Sequence, residues 1–235
     1  QLITSLSCSD IVVVLTKDNY QYLSGKGVNV TLIPNFSDIR LDNGDSANCR
    51  SKQILAVGRL DSQKGFDLLL NAWSLIFKDF PDWSLNIYGR GIWADYLKDI
   101  SSYFHLTNVS FNDPVHDVKE LYLNHSVFVL PSRYEGFGLV LLEAMQCGVS
   151  SIAFNCNTGP ADMIIDGVNG FLVEQGNIEA LADRMKQLMN DEGLRMNFSK
   201  KGQKGLGTFQ RERVLKKWIE LFDSKSVTDL ILPHE

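Results

Sequence analysis

The sequence lacks a cysteine framework, an excess of basic charge and any apolar run long enough to cross a membrane. Its four cysteines, Cys8, Cys49, Cys147 and Cys156, form no Cys-x-x-Cys pair. Unpaired thiols in a reducing compartment follow more readily than a disulfide scaffold. Cys147 falls in an apolar helical pattern and is expected to pack inside it. His105, His116, His125 and His234 have no metal-ligand spacing and read mostly as surface or loop residues. Lys and Arg number 23 against 28 Asp and Glu, a net charge of −5. Nucleic acid is therefore not an expected partner, and only a local basic patch remains open. No apolar run nears the roughly 18 residues of a membrane span. Gln1 opens the chain without a basic leader. With no Met at position 1, the expectation is a fragment or a processed chain, located in the cytoplasm.

Three phosphate or metal signatures are missing as well. There is no G-x-G-x-x-G dinucleotide fingerprint, no Walker Lys-Ser/Thr loop and no Asp-x-Asp. The last absence leaves no evident carboxylate pair to hold a metal–diphosphate, so no metal is assigned. Asn29, Asn35, Asn108, Asn124 and Asn197 head Asn-x-Ser/Thr matches. Several abut apparent strands and read as chance.

What is present describes a soluble globular protein: 44% hydrophobic and 22% charged residues. The 235 residues suffice for one large or two small domains. Asp10 to Thr16 and Val30 to Ile33 are strand signals, with a short helix and a Gly25–Gly27 boundary signal between them. The polar stretch 37–51, with Asn43-Gly44, reads as a surface loop. From Gln53 onward strands and helices alternate regularly. Strands are expected at 53–57, 85–88, 109–111, 127–131, 149–154 and 170–173, and helices at 66–77, 94–103, 117–123, 139–147, 161–165, 178–189 and 191–201. A final helix, 208–224, carries Val214, Leu215, Trp218, Ile219 and Phe222 on one face. This alternation predicts an α/β fold, a Rossmann-like parallel sheet with helices on both faces. Ligands bind such sheets at the carboxyl ends of the strands.

The chain is organised around the stretch after the 127–131 strand, Ser132-Arg133-Tyr134-Glu135-Gly136-Phe137-Gly138-Leu139, which leads into a helix bearing Glu143. Strand, glycine-containing turn and helix point backbone N–H groups at an anion. Gly136 and Gly138 let a ligand approach the backbone. Glu135 and Glu143 flank the same helix start. A carboxylate repels phosphate but accepts hydrogen bonds from hydroxyls, so the combination suits a ligand joining phosphates to polyols, as a nucleotide sugar does. Gly-x-Gly after a strand is common, and glutamates near a helix start are often only complements to its dipole. A second candidate follows the 53–57 strand: Gly58-Arg59-Leu60-Asp61-Ser62-Gln63-Lys64-Gly65. Arg59 and Lys64 are suited to phosphate oxygens, although solvated loop charges are the commoner outcome for such a pair alone.

Five ordered stretches link these pieces: Val30 to Asn35; Val57 to Leu60 with Lys64-Gly65; Ile87 to Gly91; Glu135 to Glu143; and Gly159-Pro160 continuing through Asp166 to Val173. Together they resemble the carboxyl-terminal, donor-binding half of glycosyltransferase family 4, retaining enzymes of the GT-B fold, over about residues 10–224. The resemblance implies a metal-independent hexosyltransferase that uses a nucleotide-diphosphate sugar, a UDP-sugar by preference, with no cofactor. Its acceptor would be a glycan or a lipid-linked glycan in polysaccharide biosynthesis, which leaves peripheral attachment to the inner face of the membrane open. It implies that Arg59 and Lys64 grip the diphosphate and that Glu143 binds the ribose diol. Glu135 would face the donor sugar. Gly58, Gly136, Phe137, Gly138 and Leu139 would line the donor through their backbone, and the loop from Phe111 to Val118 would lie near the base. The catalytic set would be Glu135, Arg59 and Lys64. Residues 1–26 would be a remnant of an amino-terminal acceptor-side domain that is missing, 27–205 the donor domain, and 206–235 a crossing helix and tail. Thr158-Gly159-Pro160-Ala161-Asp162 stands where the family often has Gly-Gly-x-x-Glu, and Arg90-Gly91 where it often has an acidic residue. Both departures bear on donor identity more than on fold. Rival readings are a non-catalytic sugar-nucleotide binding module and a GT-B-like epimerase or phosphorylase.

Overall fold

The computed structural model describes residues 2–7, 9–42 and 44–224. Cys8, Asn43, His234 and the rest of the tail lie outside the described residues. The elements in chain order are α1 (Leu2–Ser7), β1 (Val12–Val14), α2 (Lys17–Ser24), β2 (Val30–Leu32), β3 (Gln53–Val57), α3 (Phe66–Ser74), β4 (Ser84–Tyr88), α4 (Ala94–Tyr103), β5 (Val109–Asn112), α5 (Val118–Leu123) and β6 (Val127–Leu130). There follow α6 (Leu139–Gln146), β7 (Ser150–Asn155), α7 (Pro160–Met163), β8 (Phe171–Glu174), α8 (Ile178–Asn190), α9 (Glu192–Gly205) and α10 (Arg211–Ser224).

Contacts divide the chain into two units: Gln1–Asp38 with Gly207–Glu235, and Ile39–Leu206. The first boundary therefore falls twelve residues beyond the expected 26/27. The cause is strand pairing: β2 lies parallel to β1, with Val12 opposite Val30 and Val14 opposite Leu32. The carboxyl-terminal helix belongs to the same unit. Lys217 Nζ donates to the Leu32 carbonyl at 3.2 Å, and Arg211 pairs with Asp38 at 2.8 Å. Val214 is buried in α10, whereas Leu215, Ile219 and Phe222 are exposed.

The second unit is a six-stranded parallel sheet in the order β5-β4-β3-β6-β7-β8. Alternate side chains of a strand point to opposite faces. All four residues of β6 and the first five of β7 are buried, so helices must cover both faces. Ile54, Ala56, Val127, Val129, Ile152 and Phe154 meet Phe66, Leu69, Trp73 and Met185 in one core. Helix starts follow local chemistry. Asp117, Asn177 and Asp191 side chains accept from Lys119, Ala180 and Leu194 backbone N–H groups and cap α5, α8 and α9.

Several local expectations shift. The 37–51 stretch is coil, but not a free surface loop. Ala47 N–H donates to the Cys147 carbonyl at 2.8 Å, and Asn48 N–H to that of Leu123 at 2.9 Å. Lys119 bridges Asp42 and Asp45 at 2.8 and 2.6 Å. His125 is buried. Its Nδ1–H donates to the Leu121 carbonyl at 2.6 Å, while Nε2 faces Asn86 Nδ2 at 3.1 Å. Asn108 is a structural pin, since it accepts from Trp73 Nε1 at 3.0 Å and donates to the Trp83 carbonyl at 2.8 Å. Cys147 and Cys156 are buried and Cys49 half-buried, all as free thiols. Among the described residues no helix is long and apolar enough to cross a membrane.

Strand order fixes where a ligand can sit. From β3 the chain builds β4 and β5 on one side, then returns to lay β6, β7 and β8 on the other. The reversal point lies between β3 and β6, and the crevice outside their carboxyl ends is where open α/β sheets bind ligands. The loops leaving those two strands are 58–65 and 131–138.

Candidate functional site

These two loops are tied together at several points. The Arg133 backbone N–H donates to the Gln63 carbonyl at 2.8 Å. The Arg133 guanidinium grips both oxygens of Asp67, in the first turn of α3, at 2.8 and 2.7 Å. Gln63 Nε2 returns a bond to the Tyr134 carbonyl at 3.1 Å. Gly65 is required where the loops touch. Its φ is +65°, and a Cβ there would overlap the Pro131 carbonyl oxygen.

That approach joins two of the candidate residues. Lys64 Nζ lies 2.6 Å from Glu135 Oε1, and both side chains are largely buried. Ser132 Oγ donates to the same oxygen at 2.7 Å. The Thr158 hydroxyl donates to the Glu135 backbone carbonyl and so holds the turn from the other side. Gly58 has a distinct use: a side chain there would crowd the Lys64 methylenes at 3.2 Å. Its absence lets the lysine stem lie across the strand end toward Glu135.

Gly138, at φ +89°, starts α6 and supplies no side-chain cap. The helix amino end is thus left with its positive dipole and backbone donors uncovered by a side-chain acceptor. Phe137 is buried, and Gly136 and Leu139 are exposed. Gly159 takes φ +98°, where a Cβ would overlap the Phe137 carbonyl oxygen. One turn into α6, Glu143 Oε2 accepts from the Tyr122 hydroxyl at 2.9 Å. Burial pushes the Glu143 carboxyl above its ordinary value, and the Tyr122 hydrogen bond works against that rise.

Arg59 is not brought to the Lys64–Glu135 pair. Its guanidinium is mostly exposed, 2.8 Å from Gln63 Oε1 and 3.4 Å from Asp61. It lines instead a cleft of about 360 Å³ beyond the ends of β3 and β4, shared with Val57, Gly58, Tyr88, Gly89, Arg90, Pro114, Val115, Val118 and Leu121. Most of that lining is apolar, which suits a flat ring system. Arg90 meets Asp113 at 2.8 Å.

Ser132, Thr158, Asp67 and Tyr122 were not singled out by sequence. Ser132 and Arg133 lie inside the motif stretch and were open to notice. Asp67 in a first helical turn looks like any dipole complement. Tyr122 sits in an apolar pattern that gives no sign of a polar partner.

The crevice at the strand-order reversal thus combines a lysine–glutamate pair with a helix start that has no side-chain cap. Residues 41–205 match the family model described as glycosyl transferases group 1. The chain belongs to that family. An uncharacterised glycosyltransferase of Haemophilus influenzae is 35% identical over 189 residues, covering 80% of this chain and 51% of its own. The amylovoran biosynthesis glycosyltransferase AmsD of Erwinia amylovora is 33% identical over 220 residues, covering 90% of this chain and 62% of its own. A mutant of S. aureus TarM, solved with fondaparinux, alpha-GlcNAc-glycerol and UDP, superposes with a TM-score of 0.86 at 28% identity, covering 94% of this chain and 45% of that one. The group 1 chain thus spans about half the length of these relatives. Its parallel sheet with surrounding helices is the Rossmann-like fold of GT-B glycosyltransferases.

Proposed function

We propose that this group 1 chain is the donor-binding, carboxyl-terminal part of a retaining glycosyltransferase of family 4. It takes a nucleotide-diphosphate sugar, a UDP-sugar, and serves polysaccharide assembly. One observation carries the reading: Lys64 and Glu135, from different loops, meet at the switch point, and Glu135 lies three residues before Gly138, which starts α6. A diphosphate there finds a cation and a helix dipole, and a sugar finds a carboxylate. The base has the apolar cleft between Val57 and the Pro114–Leu121 segment. The UDP in the TarM complex and the biosynthetic role in AmsD's name support the same donor and pathway class.

In this reading the leaving diphosphate gathers charge as the glycosidic bond to it breaks. Lys64 and the α6 amino end stabilise that charge, the kind of preorganised electrostatics that lowers barriers most, and Arg59 joins them by swinging its exposed side chain in from the neighbouring cleft. Glu135 positions sugar hydroxyls, with its carboxylate oriented by Lys64 and Ser132 at Oε1. Glu143 accepts from the ribose diol. No metal and no resident cofactor take part. Residues 1–38 with the 207–235 segment belong to an acceptor-side domain, and the acceptor is a glycan or lipid-linked glycan at the cytoplasmic face of a membrane.

Isothermal titration of the chain with UDP, uridine and a panel of UDP-sugars tests the proposal. UDP binding tighter than uridine by tenfold or more is expected. Equal affinity for the two, or no binding of either, would refute it.

A further inference from the structure

Tyr122 is a fully buried phenol on α5 whose ring packs edge-on against Phe128, with centroids 6.0 Å apart. A buried hydroxyl needs a partner, and this one has spent its proton on Glu143 Oε2. Glu143 is half-buried on α6, and among the described residues its Oε1 takes no protein donor. A carboxylate held by one oxygen and unoccupied at the other keeps an acceptor free for a ligand. The two neighbours of Tyr122 along α5, Leu121 and Val118, line the apolar cleft. The helix that walls the cleft therefore also aims the carboxylate.

We propose that Tyr122 is a positioning residue. Its hydroxyl fixes the Glu143 carboxylate so that Oε1 accepts from the ribose hydroxyls of the bound nucleotide. The inference rests on the nucleotide-sugar reading of the same site. The bond has a second consequence, since burial raises the Glu143 carboxyl and the Tyr122 hydroxyl counteracts it. The groups around this carboxylate are Tyr122 from α5 and Cys147, the residue that caps the carboxyl end of α6. Lys119 and Asp45 act on Cys147 from α5 and the preceding coil.

The test is a ligand cycle on the whole chain. UDP and 2′,3′-dideoxyuridine diphosphate are titrated into wild type and Tyr122→Phe. The substitution keeps the ring and removes one oxygen, and circular dichroism melts check that the fold survives. Hydrogen bonds to charged groups imply a loss of about tenfold in UDP affinity for Tyr122→Phe. Affinity for the dideoxy ligand is expected to change less than about twofold, because it has no hydroxyl for Glu143 to accept from. The acid limb of UDP binding should also move to higher pH in the variant. Equal losses on both ligands, or no loss on UDP, overturn the role of Tyr122. If wild type itself fails to bind UDP, the nucleotide reading falls and this inference with it. If wild type binds UDP and the dideoxy ligand equally, Glu143 is not at the ribose and the inference falls alone.

Discussion

Lys64 and Glu135 are 71 residues apart in sequence and 2.6 Å apart in space. Neither loop holds this geometry alone. Gly65 permits the approach, and the Arg133–Asp67 clamp fixes it. The pair is mostly desolvated, with 14% and 6% of the side chains exposed. Each partner is therefore the other's main compensation for leaving water.

Removing one partner is expected to be worse than neutralising both. Lys64→Ala strands a buried carboxylate and should cost on the order of 3 kcal/mol, whereas Lys64→Met with Glu135→Gln should cost much less. Arg59→Ala touches an exposed side chain and should leave stability within about 0.5 kcal/mol. On ligands the two single variants converge. Both should weaken UDP by about tenfold while changing uridine little, because a charged hydrogen bond to phosphate contributes about 1.5–3 kcal/mol. Denaturant melts and calorimetry on the same samples separate the effects. Equal losses for UDP and uridine would remove Arg59 and Lys64 from the diphosphate.

The two carboxylates should separate by ligand and by pH. Glu143→Gln should weaken UDP itself, since ribose is common to all such donors, while Glu135→Gln should spare UDP and weaken the UDP-sugar. Stability adds a sign. The folded Glu143 carboxyl is raised above 4.5 by burial, so over the window above 4.5 the native state holds more proton than the unfolded chain. Stability then falls as pH rises through that window. Glu143→Gln removes the penalty and should melt about 2 °C higher at pH 7, although it binds UDP less well. A lower melting temperature in the variant, or equal UDP loss from both glutamate variants, would contradict the assignment.

His125 gives the opposite slope. Burial lowers it from 6.5, against the Leu121 carbonyl bond that favours charge. Protonation at Nε2 would also face a donor on Asn86. Below about 6.5 the unfolded chain binds a proton that the native chain refuses, so stability is lost as pH falls. Melting temperatures from pH 8 to 5 should drop for wild type and drop less steeply for His125→Gln. Parallel curves would show that His125 contributes no slope.

Strand–helix alternation from Gln53 on was readable because the central strands β6 and β7 are buried on both faces, β4 alternates, and the helices keep their period. The site loops were readable for the same reason, since they sit where strands hand over to helices. Three features escaped. The β1–β2 pairing that moves residues 27–38 into the first unit depends on a partner, not on local pattern. His125 looks like a loop residue until Leu121 and Asn86 surround it. Tyr122 and Asp67 acquire their roles only from Glu143 and Arg133, which are 21 and 66 residues away.

Metal dependence is open to a direct test. Among the described residues no three His, Cys, Asp or Glu side chains are grouped to hold an ion, and two cations and a helix start are available to the diphosphate. UDP affinity should change less than about twofold on adding EDTA. A tenfold fall, restored by Mg²⁺ or Mn²⁺, would replace the metal-free scheme with one in which an ion bridges the phosphates.

The last prediction concerns what the chain does alone. Every donor-binding candidate, from Gly58 to Glu143, lies within the Ile39–Leu206 unit, whose sheet has its own core. Weak UDP binding is therefore expected from the 235-residue chain. Transfer is a different demand. It needs an acceptor held in line with the donor and water kept out, and none of the candidate residues is assigned to an acceptor. The relatives with which this chain aligns are longer, this chain covering 51% of the Haemophilus protein and 45% of TarM. Leu215, Ile219 and Phe222 on α10 stay exposed, an apolar strip of the kind that normally covers another surface. Radiolabelled sugar transfer is therefore expected to be absent from this chain with a glycan acceptor. It should appear when an amino-terminal domain from a relative such as AmsD is supplied in the same polypeptide, while UDP affinity changes far less than transfer does. Efficient transfer by the chain alone would show that the donor unit carries an acceptor site of its own, and the two-domain account would then be wrong.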